Sequence, residues 1–103
     1  MSQSPAAEEI DRLLHEPARL RALVHLAAVT KADFTWLLNR TGLTRGNLSV
    51  QMSKLAEAGI VDVEKRFNNN RPQTLYRLTS KGRKALKGYK QGMLNLLEKL
   101  PDG

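Results

Sequence analysis

The chain is 103 residues long, which is room for one domain around a single core and not for two. It has no cysteine and only two histidines, which excludes disulfides, thiolate metal sites and a self-contained structural zinc site, so no metal or other cofactor is expected. The net charge is +7, and the excess is local: Thr44 to Lys90 carries eleven basic and three acidic residues, whereas Met1 to Leu43 is neutral. A basic stripe confined to one region fits nucleic acid or an anionic membrane surface. No apolar run reaches the length of a membrane span and the N-terminus lacks a signal-peptide pattern, so a soluble cytoplasmic protein with no membrane partner is expected.

In chain order, Glu8 to His15 reads as a short helix with Ile10, Leu13 and Leu14 on one side and acids in its first turn, where the helix dipole favours them. Pro17 opens a second helix, since proline suits the first helical position; Leu20, Leu23, Val24 and Ala27 are its core stripe. Lys31 to Thr35 breaks the helical pattern, with Phe34 as a buried anchor in a short extended piece. Thr35 then caps a brief third helix, Trp36 to Arg40, which Gly42 ends.

The fourth helix is the one the others serve. Thr44 can cap it and Gly59 can take the left-handed conformation that stops it. Leu48, Met52 and Leu55 recur at helical spacing and make its apolar stripe. Turned away from that stripe are Gly46, Val50, Ser53 and Lys54, flanked by Arg45, Asn47 and Ser49. This outer face carries one acid, Glu57, near its end; its first turns are small, polar or basic. Such a face can approach a polyanion closely while offering hydrogen-bond donors. A short helix, a glycine turn and a capped helix in succession form a helix-turn-helix, whose second helix enters the major groove of DNA.

After Gly59 the period changes from helical to alternating. Val61, Val63 and Phe67 alternate with Asp62 and Glu64, as in a half-buried strand. Asn68, Asn69 and Asn70 form a turn, because asparagine tolerates positive φ. The return strand is Gln73 to Thr79, with Tyr76 and Leu78 inward. Lys65, Arg66 and Arg71 ring the tip, with no acid from Lys65 to Ser80. Thr79 and Ser80 cap a last helix running to about Leu100. Its Leu86, Tyr89, Met93, Leu96 and Leu100 are spaced as a heptad seam, suited to packing on another helix.

The predicted fold is therefore mainly α with a small β-hairpin: helix, helix, short strand, helix, helix, hairpin, helix, in one domain over residues 1–103. Beyond this order, the runs from Gly42 to Ser49, Leu55 to Val61 and Arg71 to Arg83 resemble the small stand-alone winged helix-turn-helix regulators related to the MarR and ArsR families. The likeness spans about Pro17 to Tyr89. It implies a recognition helix from Thr44 to Lys54, contacting DNA through Thr44, Arg45, Gly46, Asn47, Ser49, Val50, Ser53 and Lys54. It implies a wing contacting DNA through Lys65, Arg66, Asn68, Asn69, Asn70, Arg71 and Gln73, on the minor groove or the backbone. It further implies a two-fold homodimer formed by the helices at 8–15 and 80–100, through Ile10, Leu13, Leu14, Leu86, Tyr89, Met93, Leu96, Leu97 and Leu100. The absence of cysteine argues against the metal sensing of ArsR relatives. The chain is shorter than the larger MarR proteins and shows no converging polar cluster, so a small-molecule effector stays unassigned.

The function expected is sequence-specific binding of double-stranded DNA at an inverted-repeat operator, with repression the default outcome. The alternative is a winged-helix protein-interaction module, which would not need Arg45, Lys54, Arg66 and Arg71. An enzyme is not expected, because no nucleophile–base pair, phosphate loop or carboxylate pair appears in a motif.

Overall fold

The computed structural model describes residues 10–102. Four helices and three strands follow in the order α1 (Pro17–Ala27), β1 (Ala32–Asp33), α2 (Phe34–Thr41), α3 (Arg45–Glu57), β2 (Val61–Asn68), β3 (Arg71–Leu78) and α4 (Ser80–Leu97). The strands form one antiparallel sheet in the order β1-β3-β2, with Val61 opposite Leu78, Asn68 opposite Arg71, and Ala32 opposite Tyr76. The predicted fold class is the one formed.

The core is built where α1, α2 and α3 meet the sheet. Leu14, Leu23, Leu26, Leu37, Leu48, Met52 and Leu55 are fully buried there, and Val61, Tyr76 and Leu78 close it from the sheet. Local chemistry sets each boundary. Pro17 occupies the start of α1, and the Glu16 carboxylate accepts the Arg19 N–H as its cap. Gly42 and Gly59, with φ of 71° and 77°, end α2 and α3 in the left-handed region that glycine adopts without strain. The Thr79 hydroxyl accepts the Gly82 N–H as the cap of α4 and donates to the Gly59 carbonyl at 2.6 Å, tying the end of α3 to the start of α4.

Several expectations need correction. The helix over Glu8 to His15 is not formed in its described part; Glu8 and Glu9 lie outside the described residues. Ile10 to His15 makes a single turn, in which the Asp11 carboxylate accepts the N–H groups of Leu13 and Leu14. Glu16 is extended (φ −141°, ψ 121°), as a residue before proline prefers, and this stops the turn from continuing. Leu14, expected at a dimer interface, is fully buried in the core of its own chain and has no surface to offer. Asp33, not Thr35, caps α2: its carboxylate accepts the Trp36 N–H at 2.7 Å, and Phe34 belongs to the helix. Pairing of β1 with β3 holds Asp33 extended, ready for that role. Val63 and Phe67 are exposed, at 41% and 75%. Eight residues per strand at about 3.4 Å each carry the hairpin well past the helices, so only its Val61 end lies over the core.

Candidate nucleic-acid interface

The helix α3 is amphipathic in an unusual way. Its buried face is Leu48, Gln51, Met52 and Leu55; its other face is Arg45, Gly46, Asn47, Ser49, Val50, Ser53 and Lys54, every one exposed. Thr44 caps it by accepting the Asn47 N–H at 3.1 Å. No acid stands in its first turn and Glu57 ends it, so the N-terminal two-thirds of the exposed face presents positive charge and donors. At its far end Lys81 of α4 donates to the Ala58 carbonyl at 2.9 Å, a cation placed on the negative end of the helix dipole.

The hairpin stands beside α3. Asn69 and Asn70 take φ of 54° and 64°, the two left-handed residues of a type I′ turn, which matches the twist of the strands. Asn68 and Arg71 are the last paired residues below it. Between hairpin and helix lies a groove of 610 Å³, walled by Ser49, Ser53 and Glu57 on α3 and by Val63, Lys65 and Thr74 on the strands. Met52, Phe34 and Tyr76 lie at its base, and burial raises the pKa of the Tyr76 phenol.

The predicted basic residues divide into two groups. Arg45, Lys54, Lys65 and Arg71 are exposed, and no hydrogen bond or ion pair engages them among the described residues. Arg66 is different. It pairs with Glu64 at 3.9 Å and donates to Gln73 Oε1, while Gln73 Nε2 donates to Asp33. Glu64 also holds Lys31 at 3.0 Å, and the Lys31 ammonium keeps its carboxyl below the usual range. Alternation along the strands puts this network on the sheet face opposite Lys65 and Phe67. Arg66 and Gln73 therefore brace the wing from behind, whereas Lys65 faces α3.

Two features escaped the sequence reading. Gln51 is 8% exposed and bonded to both Asn47 and Arg19; its position three residues after Leu48 was the signal that it shares the buried stripe. Phe67 opposite Pro72 makes a small exposed apolar surface on the α3 side of the wing, and nothing in the alternation distinguished it from a core residue. Among the described residues no group of three or more His, Cys, Asp or Glu side chains is placed to hold a metal, and no helix is long and apolar enough to cross a membrane.

A helix-turn-helix made by α2 and α3, backed by α1 and flanked by a two-stranded wing, defines the winged-helix class of DNA-binding proteins. The chain belongs to that family: residues 18–97 match the family described as a winged helix DNA-binding domain. It is 32% identical over 85 residues to the uncharacterized protein MJ0432 of Methanocaldococcus jannaschii, covering 82% of this chain and 92% of that one. It superposes on a transcriptional regulator homologue from Pyrococcus horikoshii OT3 with a TM-score of 0.79 and 26% identity, over 85% of this chain and 87% of that one. A MarR family transcriptional regulator from Silicibacter pomeroyi shares the fold, with a TM-score of 0.64 and 22% identity over 81% of this chain and 55% of that one. Family and fold are those of DNA-binding transcriptional regulators, not of enzymes.

Proposed function

We propose that the chain acts as a homodimeric, sequence-specific regulator that binds an inverted-repeat operator and represses by occluding the promoter. The observation that carries this reading is the exposed face of α3, whose seven outward residues from Arg45 to Lys54 include no acid and two cations, Arg45 and Lys54, with Lys65 and Arg71 on the hairpin beside it. None of the four cations is paired with a carboxylate among the described residues, and Glu57 stands only at the far end. On this reading Arg45 and Asn47 meet base edges from the first turn of α3. Gly46, Ser49, Val50 and Ser53 allow close approach, and Thr44 and Lys54 bind phosphate. Lys65 and Arg71 reach the minor groove or backbone from the wing, with Asn68, Asn69 and Asn70 forming its narrow tip and Arg66 and Gln73 supporting it. Leu96 and Leu97 at the outer end of α4 and Leu100 just beyond it supply the two-fold contact together with Met93, Ile10 and the parts of Leu86, Tyr89 and Leu13 that their packing on the protomer's own core leaves uncovered.

The test is binding to duplexes selected from a random pool, titrated with salt. Six to ten phosphate contacts give a slope of log affinity on log salt of about −0.9 per contact, roughly −5 to −9. Equal affinity for selected and scrambled duplexes, or affinity flat from low to moderate salt, sinks the reading.

A further inference from the structure

The hydrogen bonds beneath α3 fix which end of the Asn47 amide faces outward. Arg19 on α1 donates Nε to Gln51 at 2.8 Å and Nη1 to the Leu13 carbonyl at 2.8 Å. A guanidinium has donors and no acceptor, so the Gln51 atom facing it must be the oxygen. That turns Gln51 Nε2 towards Asn47 at 2.8 Å. An amide nitrogen also only donates, so the Asn47 atom facing it must be Oδ1. Asn47 is exposed, and its remaining amide group, Nδ2, is left for solvent or ligand. Gln51 is buried, so neither it nor its bond to Arg19 exchanges freely with water.

We infer that Arg19 and Gln51 form a polarity-setting relay that makes Asn47 a hydrogen-bond donor to the bases, so that one position of each half-site is selected for an acceptor edge, guanine first. The inference rests on the proposed function, in which the first turn of α3 meets base edges. In the major groove guanine presents two neighbouring acceptors, N7 and O6, whereas cytosine presents only the N4 amino donor. An outward Nδ2 complements the first and opposes the second. The two-bond pairing of asparagine with adenine needs Oδ1 to accept from N6, and here Oδ1 is already turned towards Gln51. Arg19 and Gln51 are positioning residues; neither touches DNA.

The experiment ranks the four bases at every operator position for the full-length protein and for Asn47→Ala, Arg19→Met and Gln51→Glu, with thermal melts to confirm folding. The position whose ranking Asn47→Ala erases is the one read. At that position the wild type favours guanine over cytosine by at least about fivefold, the worth of one net hydrogen bond. Arg19→Met keeps the apolar stem but frees the Gln51 amide to turn, and the ratio falls towards one. Gln51→Glu keeps the bond to Arg19 but presents an acceptor to Asn47, which must turn Nδ2 inward and Oδ1 outward. The preference then shifts to bases with an amino donor, cytosine or adenine. The added negative charge weakens all duplexes alike and leaves the ratio interpretable. Specific wild-type binding with cytosine ranked first, no position erased by Asn47→Ala, or a ranking unchanged by both Arg19→Met and Gln51→Glu overturns the relay alone. Equal wild-type binding to all sequences overturns the proposed function, and the relay falls with it.

Discussion

Gly82 in the first turn of α4 lies directly against the backbone carbonyl oxygen of Ile60, so close that a Cβ on residue 82 would overlap it. The same Cβ would meet Leu78 Cδ2 at 3.0 Å. This contact, with the Thr79 bonds to Gly59 and Ile60, sets where α4 leaves the sheet and so where its apolar outer end points.

Gly82→Ala forces backbone rather than a flexible side chain to move. It is expected to destabilise the fold by about 1–3 kcal/mol, the usual cost of overpacking. Gly88, on the same helix, has open space where a methyl group would stand, with nothing within 4 Å, and Gly88→Ala is expected to stabilise by roughly 0.5–1 kcal/mol through helix propensity. Urea melts of the two variants check the pair; equal effects of one sign would refute the contact as the determinant.

Leu96, Leu97 and Leu100 are 38%, 49% and 65% exposed in the single chain. Leu96→Glu should therefore leave the protomer folded while placing an unpaired charge in the proposed two-fold contact, at a cost of about 3 kcal/mol or more. The dimer dissociation constant should rise at least about a hundredfold. Sedimentation at micromolar concentration reads the outcome, and a monomeric wild type would remove the dimer from the proposal.

Arg71 follows a two-asparagine turn, precedes Pro72, is exposed and has no protein partner among the described residues. Proline restricts the residue before it towards extended geometry, which presents the guanidinium outward at lower entropic cost. Insertion into a narrow A·T-rich minor groove is the expected use. Arg71→Ala should weaken binding, lower the salt slope by about one contact and abolish a preference for A·T-rich flanks. An intact flank preference in the variant would make Arg71 a phosphate contact instead.

Burial raises the pKa of Tyr76 above its ordinary value of about 10. A group whose native pKa is raised stabilises the fold fully below its unfolded pKa and loses that contribution as pH rises through the native value. Stability should thus fall above about pH 10, and Tyr76→Phe should flatten that part of the alkaline limb. In Tyr89→Phe, which leaves Tyr76 as the chain's one tyrosine, the ultraviolet tyrosinate titration should have its midpoint above about 10; a midpoint at or below it contradicts the burial.

Much of this architecture was written in local sequence. Pro17, Gly42, Thr44, Gly59 and Thr79 set helix ends through the backbone close to themselves, so the starts of α1, α3 and α4, the ends of α2 and α3, and the helix-turn-helix follow from residue type and spacing, whereas α4 stops at Leu97, short of the expected Leu100. The Asn69–Asn70 turn and the exposed basic face of α3 are legible for the same reason. What the sequence could not decide depends on residues distant along the chain. Pairing of β1 with β3 made Asp33, rather than Thr35, the cap of α2. The reach of the hairpin beyond the helices left Val63 and Phe67 exposed despite their alternation, and the core, not a partner, took Leu14. Arg66 has the same charge as Arg71, yet Glu64, Gln73 and their partners hold it behind the wing. The direction of the Asn47 amide depends on Arg19, 28 positions earlier, because a hydrogen bond's polarity is fixed by whichever group in the network can only donate.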